Sequence, residues 1–254
     1  MKIYRLLGMV MLAVLICASF TSCNEGGDSS GGVMLADGKR LVKMVETWDG
    51  ESALIYTFTY DKQGRLIKST VGDDVTYDFV WSDKMIMCII DEVEYDITRT
   101  LTLENGLVQE MNPYKAVYSY NSANRLVEMT DIDDYGIDAN WNNDKMVAVS
   151  SFEIRRNKKN EQTLTYATSC SKGYSPYIAL FMEDMSESPA LFMAHPELAG
   201  IRTTQLPASR TFVDYKSMDS FTDTYTYEFD KDGYISKINL RQGCYTGSCI
   251  LIWE

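Results

Sequence analysis

His195 is the only histidine in the chain, so a Ser/His/Asp or Cys/His relay has a single base available to it. It stands in "MAHPEL", beside a proline at the end of an apolar segment, where local structure is its expected role. That count excludes a multi-histidine zinc site, and Cys88, Cys170, Cys244 and Cys249 lack the paired spacing of a structural zinc. "DIDDYGID" gathers Asp131, Asp133, Asp134 and Asp138. It lacks the alternating ligands, spaced glycine and closing glutamate of an EF-hand, and reads as an acidic hairpin tip. The 36 acidic residues leave a carboxylate pair for glycoside hydrolysis open, because that chemistry depends on separation in space. No glycine-rich phosphate loop or dinucleotide fingerprint is present. No catalytic residue, metal ligand or cofactor is assigned.

Two other chemistries have candidate residues. In "CYTGSC", a two-residue turn at Thr246-Gly247 would set Tyr245 opposite Ser248 and Cys244 opposite Cys249, within bridging range for opposed strand positions. A Cys244–Cys249 disulfide is therefore expected, with Cys88 and Cys170 as buried free thiols. The 17 tyrosines and 4 tryptophans could contact sugars or lipids. At alternating strand positions they are read as core. Contact with a ligand is assigned to loop aromatics Trp48, Tyr114 and Tyr135 and to Phe181 and Phe192 of an apolar insert.

The elements that must position these residues are strands. Tyr56, Phe58 and Tyr60 share one face opposite Thr57 and Thr59, and the same alternation returns at Tyr77, Phe79 and Trp81 and at Tyr225, Tyr227 and Phe229. Period two with aromatic and β-branched enrichment marks strands with one buried and one wet face. Leu41, Leu66, Met85, Leu107, Leu126 and Met146 follow successive turns at spacings of 25, 19, 22, 19 and 20 residues. Such spacing suits two strands and two turns, so a run of hairpins is expected, with Ile235 as a later member. In "YDKQGRL", from Tyr60, Asp61 accepts backbone hydrogen bonds and Gly64 supplies the left-handed position of a three-residue loop; Asn124 and Gly233 serve in "YNSANRL" and "FDKDGYI". Connections at the opposite ends of the strands, such as "ETWDGES" and "DIDDYG", are mostly acidic. Residues 174–200 break the pattern. Ser175-Pro176 and Ser188-Pro189 read as helix N-caps followed by a first-turn proline. Two short apolar helices are expected there, capping the curled sheet, or forming a lid over a cavity.

The chain opens with an address. Lys2 and Arg5 precede an apolar run of 15 residues from Leu6 to Phe20, shorter than the roughly 20 a spanning helix needs, and "FTSC" follows. Residues 1–22 are read as a lipoprotein signal peptide and residues 23–32 as a lipidated Cys23 with a flexible Gly/Ser tether. Residues 33–254 form a single domain. Removing the two cations Lys2 and Arg5 takes the net charge from −12 to −14, which opposes nucleic acid.

The lipobox and tether, the "F-x-Y-D-x-x-G-R-L" hairpins, the "Y-S-P-Y" insert, the following "L-P" step and "YTYEFDKDGYISKI" together resemble the bacterial lipoprotein family of domain of unknown function 4595, described as porin-like. A weaker likeness is to the tyrosine-aspartate repeats of bacterial shell proteins. The resemblance implies an all-β fold, an antiparallel hairpin meander curled into a barrel, and no known activity. The spans "VTYDFVW" and "VYSYN" fall short of the 9–11 residues of membrane-crossing strands, which favours a tethered, water-facing domain. The expected protein is a non-enzymatic lipoprotein of the outer membrane, facing periplasm or cell surface. Its partners are the membrane through the anchor, and a glycan, a lipid or an envelope protein. Two alternatives are a carrier of an apolar molecule inside the barrel and a hydrolase using rim carboxylates.

Overall fold

Period-two alternation becomes sixteen antiparallel strands in the computed structural model, which describes residues 38–92, 95–133, 135–153, 156–182 and 189–254. The leader, Cys23 and the tether lie outside the described residues. The strands are β1 (Leu41–Trp48), β2 (Leu54–Tyr60), β3 (Leu66–Val71), β4 (Val75–Ser82), β5 (Met85–Glu92), β6 (Tyr95–Glu104), β7 (Leu107–Asn112) and β8 (Ala116–Tyr120). There follow β9 (Leu126–Thr130), β10 (Gly136–Asn142), β11 (Lys145–Glu153), β12 (Asn157–Cys170), β13 (Gln205–Asp214), β14 (Ser220–Phe229), β15 (Ile235–Gln242) and β16 (Tyr245–Trp253). Each pairs with its sequence neighbours, and β16 pairs with β1 to close the barrel. Arg40 and Glu254 exchange backbone hydrogen bonds across that seam at 2.6 and 2.9 Å. Closure leaves no sheet edge unpaired.

The turn chemistry is as expected. Asp61 Oδ1 accepts from the backbone N–H groups of Gln63 and Arg65 at 2.8 and 3.0 Å, and Gly64 sits at φ 78°. Asn121 and Asp230 repeat the arrangement. So does Asp131, whose carboxylate receives the N–H groups of Asp133 and Tyr135. The three-residue loops bring Leu66, Leu126 and Ile235 inward directly. At the tighter turns Ser82 pairs with Met85 and Glu104 with Leu107. The buried face there restarts one residue later than expected, at Ile86 and Val108, while Met85 points outward.

A recurring device finishes these hairpins. The last inward aromatic of an even strand donates to the backbone carbonyl of the inward residue near the start of the preceding strand. Tyr60 reaches Leu41, Trp81 reaches Leu66, Tyr120 reaches Val108 and Trp141 reaches Leu126, all at 2.5–2.7 Å. Tyr166 to Met146, Tyr227 to Pro207 and Trp253 to Ile235 follow at 2.7 Å. Seven of the eight hairpins carry it; β6 ends in Leu103 instead. Register shifts at this rim, such as the one between Thr59 and Tyr60, interrupt the regular ladder, so the side chain supplies a partner where backbone pairing is irregular. Tyr60→Phe keeps the ring and strips the donor from the Leu41 carbonyl. It is expected to lower stability by about 1–3 kcal/mol in urea unfolding, and an unchanged midpoint would show that the bond contributes nothing.

Inward residues are apolar and outward ones are mostly Thr or charged. Tyr56, Phe58, Leu101, Tyr118 and Ile238 are buried, whereas Thr57, Lys68, Asp78, Glu128 and Lys237 occupy the outer wall. This polarity is opposite to that of a transmembrane barrel.

The insert leaves the wall after β12 and rejoins it at β13. It forms α1 (Tyr177–Leu180), α2 (Pro189–Ala194) and a 3-10 helix (Pro196–Ala199). Pro189 begins α2 as expected, but Pro176 is itself the N-cap of α1, with no capping side chain. Ser188 lies outside the described residues. The insert is neither a cap nor a lid. Tyr177 hydrogen-bonds Glu46 of β1, Phe192 packs edge-on against Tyr118 of β8, Gln162 of β12 donates to the Phe181 carbonyl, and Tyr174 packs on Trp253 of β16. A segment that touches opposite walls runs through the lumen, and the apolar inner face is what draws it in. His195, 0% exposed, accepts the Leu66 N–H on Nε2 at 3.2 Å and donates from Nδ1 to Glu197 at 3.1 Å. Burial would raise the Glu197 carboxyl, but the bond from His195, its own backbone N–H and the nearby positive charge of Arg202 together more than offset it, holding the group below its usual range. Gly200, at φ 63°, passes so near the Asn124 carbonyl that a Cβ would lie 2.3 Å from it. The insert is thus pinned among the short turns and plugs that end.

Candidate binding site in the barrel lumen

Beside the described part of the insert lie two cavities. The larger, about 250 Å³, lies between Phe181 and Met182 of the insert and the inner faces of β10–β14; the smaller, about 190 Å³, lies between Tyr177, Leu180 and Phe181 and strands β1, β2, β14 and β15. Phe181 and Arg210 line both.

Barrel register builds the walls in rows. Ile137, Ser151 and Asn160 stand side by side across β10, β11 and β12. The next row is Val149, Gln162, Phe212 and Phe221 across β11 to β14, and the third is Leu164, Arg210, Asp223 and Gln242 across β12 to β15. Arg210 grips Asp223 Oδ2 through Nε and Nη2 at 2.8 and 2.5 Å, and the Gln242 amide donates to Oδ1 at 2.9 Å. Tyr225 donates to the same carboxylate at 3.2 Å. The guanidinium also lies 5.1 Å from the Phe181 ring centre and 5.6 Å from that of Phe221. Phe212 and Phe221 stack at 4.9 Å. A buried ion pair with every acceptor engaged holds the septum between the cavities rigid.

The acids that face the smaller cavity are Glu46 and Asp223. Glu46 receives the Trp48 indole N–H at 3.0 Å and the Tyr177 hydroxyl at 2.9 Å, so both acids are held by donors. Burial, followed by the charges of Cys249 and Glu46, pushes the Tyr177 hydroxyl far above its ordinary range. His195 lines neither cavity. The lumen offers hydrogen-bonding edges and aromatic faces, which is the composition of a binding site.

Of the expected contact residues, Trp48 and Phe181 meet at the smaller cavity. Tyr114 is exposed beside Arg99, and Tyr135 is exposed on the turn after Asp131, so neither joins them. Phe192 is 1% exposed in the core, not a ligand contact. The expected Cys244–Cys249 disulfide is overturned. Gln242 pairs with Tyr245, so Gly243-Cys244 is the turn, three residues earlier than expected. Cys244 is an exposed free thiol in that turn, while Cys249 points inward opposite Ile238, also free. Gly243, at φ 59°, takes a left-handed position in that turn, and Thr246-Gly247 lies within β16 instead. Cys88 is buried and outside any disulfide, as expected, but Cys170 is exposed. Sequence reasoning missed Arg210, Asp223, Gln162, Asn160 and Ser151. The signal was there: in "FTDTYTYEF", Asp223 has the parity of Tyr225 and Tyr227, and a charge on the buried face has to be partnered.

The fold and site define a closed antiparallel barrel plugged by its own insert. Among solved structures, the chain is similar to a porin-like protein from Bacteroides vulgatus, at 14% identity over 85% of this chain and 99% of that one, with a TM-score of 0.61. A porin-like protein from Bacteroides uniformis is similar over 84% of this chain and 98% of that one, at 17% identity and a TM-score of 0.56. No family model and no curated protein matches the chain. At these identities the likeness is one of fold, and the fold is the porin-like barrel.

Proposed function

We propose that this chain is an outer-membrane lipoprotein of the porin-like family of domain of unknown function 4595, anchored through Cys23, whose barrel stands in water and works by binding rather than by catalysis or conduction. The observation that carries the reading is the reversed polarity of the wall. Lys68, Asp78, Glu128, Asp138, Lys237 and Arg241 sit on strands and face outward, interleaved with apolar Val80, Val117 and Ile250. A Lys or Arg on a lipid-facing wall costs about 2–4 kcal/mol near the bilayer midplane, and acids add to that. The plug further argues against a conducting pore. The leader, lipobox and acidic tether support anchorage by acyl chains. Partners fitting this position are a glycan, a lipid or an envelope protein, reached from periplasm or cell surface.

Phase partition in a nonionic detergent tests it. The mature protein should enter the detergent phase, and a chain beginning at Asn24, which lacks both the apolar leader and Cys23, should move to the aqueous phase. A chain from Asn24 that stays with detergent would mean that the wall itself is embedded in lipid.

A further inference from the structure

Ser151 and Asn160 face each other across β11 and β12, on the inner wall of the larger cavity. They are 3% and 8% exposed, and the Ser151 Oγ and Asn160 Oδ1 atoms have no hydrogen-bond partner among the described residues. Buried polar atoms are rarely left so, because an unmet donor or acceptor costs free energy that an apolar residue of the same shape would avoid. Here two adjacent ones belong to residues that line the cavity wall.

The rest of the cavity narrows what can fill that space. Its volume of about 250 Å³ equals that of about eight liquid waters, below the usual range for drug-sized ligands, so it admits one ring-sized molecule. Water alone would leave the opposite wall, Phe181, Met182, Phe212 and Phe221, facing a polar liquid. Charge complementarity excludes ions. The Arg210 charge is answered by Asp223, leaving no net cation for an anionic ligand, and a cation would meet the guanidinium itself. The Asn160 carbonyl wants a donor, whereas Ser151 and the Arg210 Nη1, which among the described residues donates to Gln162 at 3.4 Å, can give to an acceptor. Hydroxyl groups serve both needs.

We propose that the larger cavity is a binding site for a neutral, pyranose-sized polyol. Its hydroxyl edge lies against Ser151, Asn160 and Gln162, and its C–H face lies on the rings of Phe181, Phe212 and Phe221. The site rests on the reading of the protein as a binder and gives that reading a substrate class.

The test uses the mature chain from Asn24, without leader or acyl chains, in ligand-observed NMR and calorimetry with glucose, galactose, mannose and N-acetylglucosamine, beside glucuronate and cyclohexanol. At least one neutral sugar should bind saturably, with glucuronate and cyclohexanol weaker. Ser151→Ala and Asn160→Leu should each weaken binding about tenfold while leaving the Tm unchanged or raised, because neither atom holds the fold. Thr163→Ala, on the outer face of β12 next to Gln162, should leave binding unchanged. A fall in Tm without a change in affinity would make these residues structural and overturn the proposal. So would the absence of saturable neutral-sugar binding at about 10 mM. Preference for glucuronate or cyclohexanol would overturn the polyol class while keeping the lumen as a binding site, and detergent partition judges the tethered, water-facing barrel independently of all these results.

Discussion

Truncation of Phe192 to alanine is expected to lower the unfolding free energy by about 3–5 kcal/mol, among the largest effects for a single aromatic. The ring is on α2, 1% exposed, with its centre 6.4 Å from that of the Tyr118 ring in an edge-on arrangement. Around it Leu191, Met193, Ala194 and Leu198 are also buried, so the void left by the ring has little chance to collapse. The comparison that makes this informative is Phe229→Ala. Phe229 ends β14 and is 38% exposed, so its truncation should shift the urea midpoint far less. A displaceable lid would give the reverse expectation for Phe192, a small loss. Equal midpoints for the two variants would sink the account of the insert as a plug.

Alkaline unfolding is the second large effect. The hydroxyls of Tyr60, Tyr118, Tyr120 and Tyr166 are raised well above the ordinary tyrosine range, chiefly by burial. So are those of Tyr174, Tyr177, Tyr225 and Tyr227. The native chain keeps these protons where the unfolded chain has released them. Their contribution is fully present below the unfolded value of about 10 and is lost as pH rises through and beyond it. With this many coupled groups the loss should be cooperative. Tyrosinate absorbance of the buried set and loss of far-ultraviolet dichroism should therefore coincide. Gradual ionisation at ordinary tyrosine pH with the dichroism intact would refute the burial of these hydroxyls in solution.

Local chemistry was legible. Asp61, Gly64 and the Tyr56, Phe58, Tyr60 alternation state a hairpin outright, because turn conformation and strand parity depend on neighbours a few residues away. Even the one-residue slip at Met85 and Leu107 follows from loop length. The final hairpin was ambiguous because "GCYTGSC" offers two glycines, and only pairing with β1 and β15 chooses Gly243. The position of the insert was out of reach of pattern reading: an apolar helix reads alike whether it covers a barrel or enters it. The inward polar residues were half legible. Parity puts Asp223 on the buried face, but its partner Arg210 lies on another strand, and only the register brings the two together.

The described chain enters and leaves the barrel at one rim. Gly38 lies against the Tyr234 hydroxyl, Lys39 pairs with Asp232 at 2.7 Å, and Arg40 meets Glu254, all beside the short turns that the insert seals. The molecule is therefore a vessel with a base and a mouth. The chain before Gly38 joins the barrel at the base. On the proposal that Cys23 anchors the chain, the mouth would face solvent, and a guest would arrive from the aqueous side and depart by the same door.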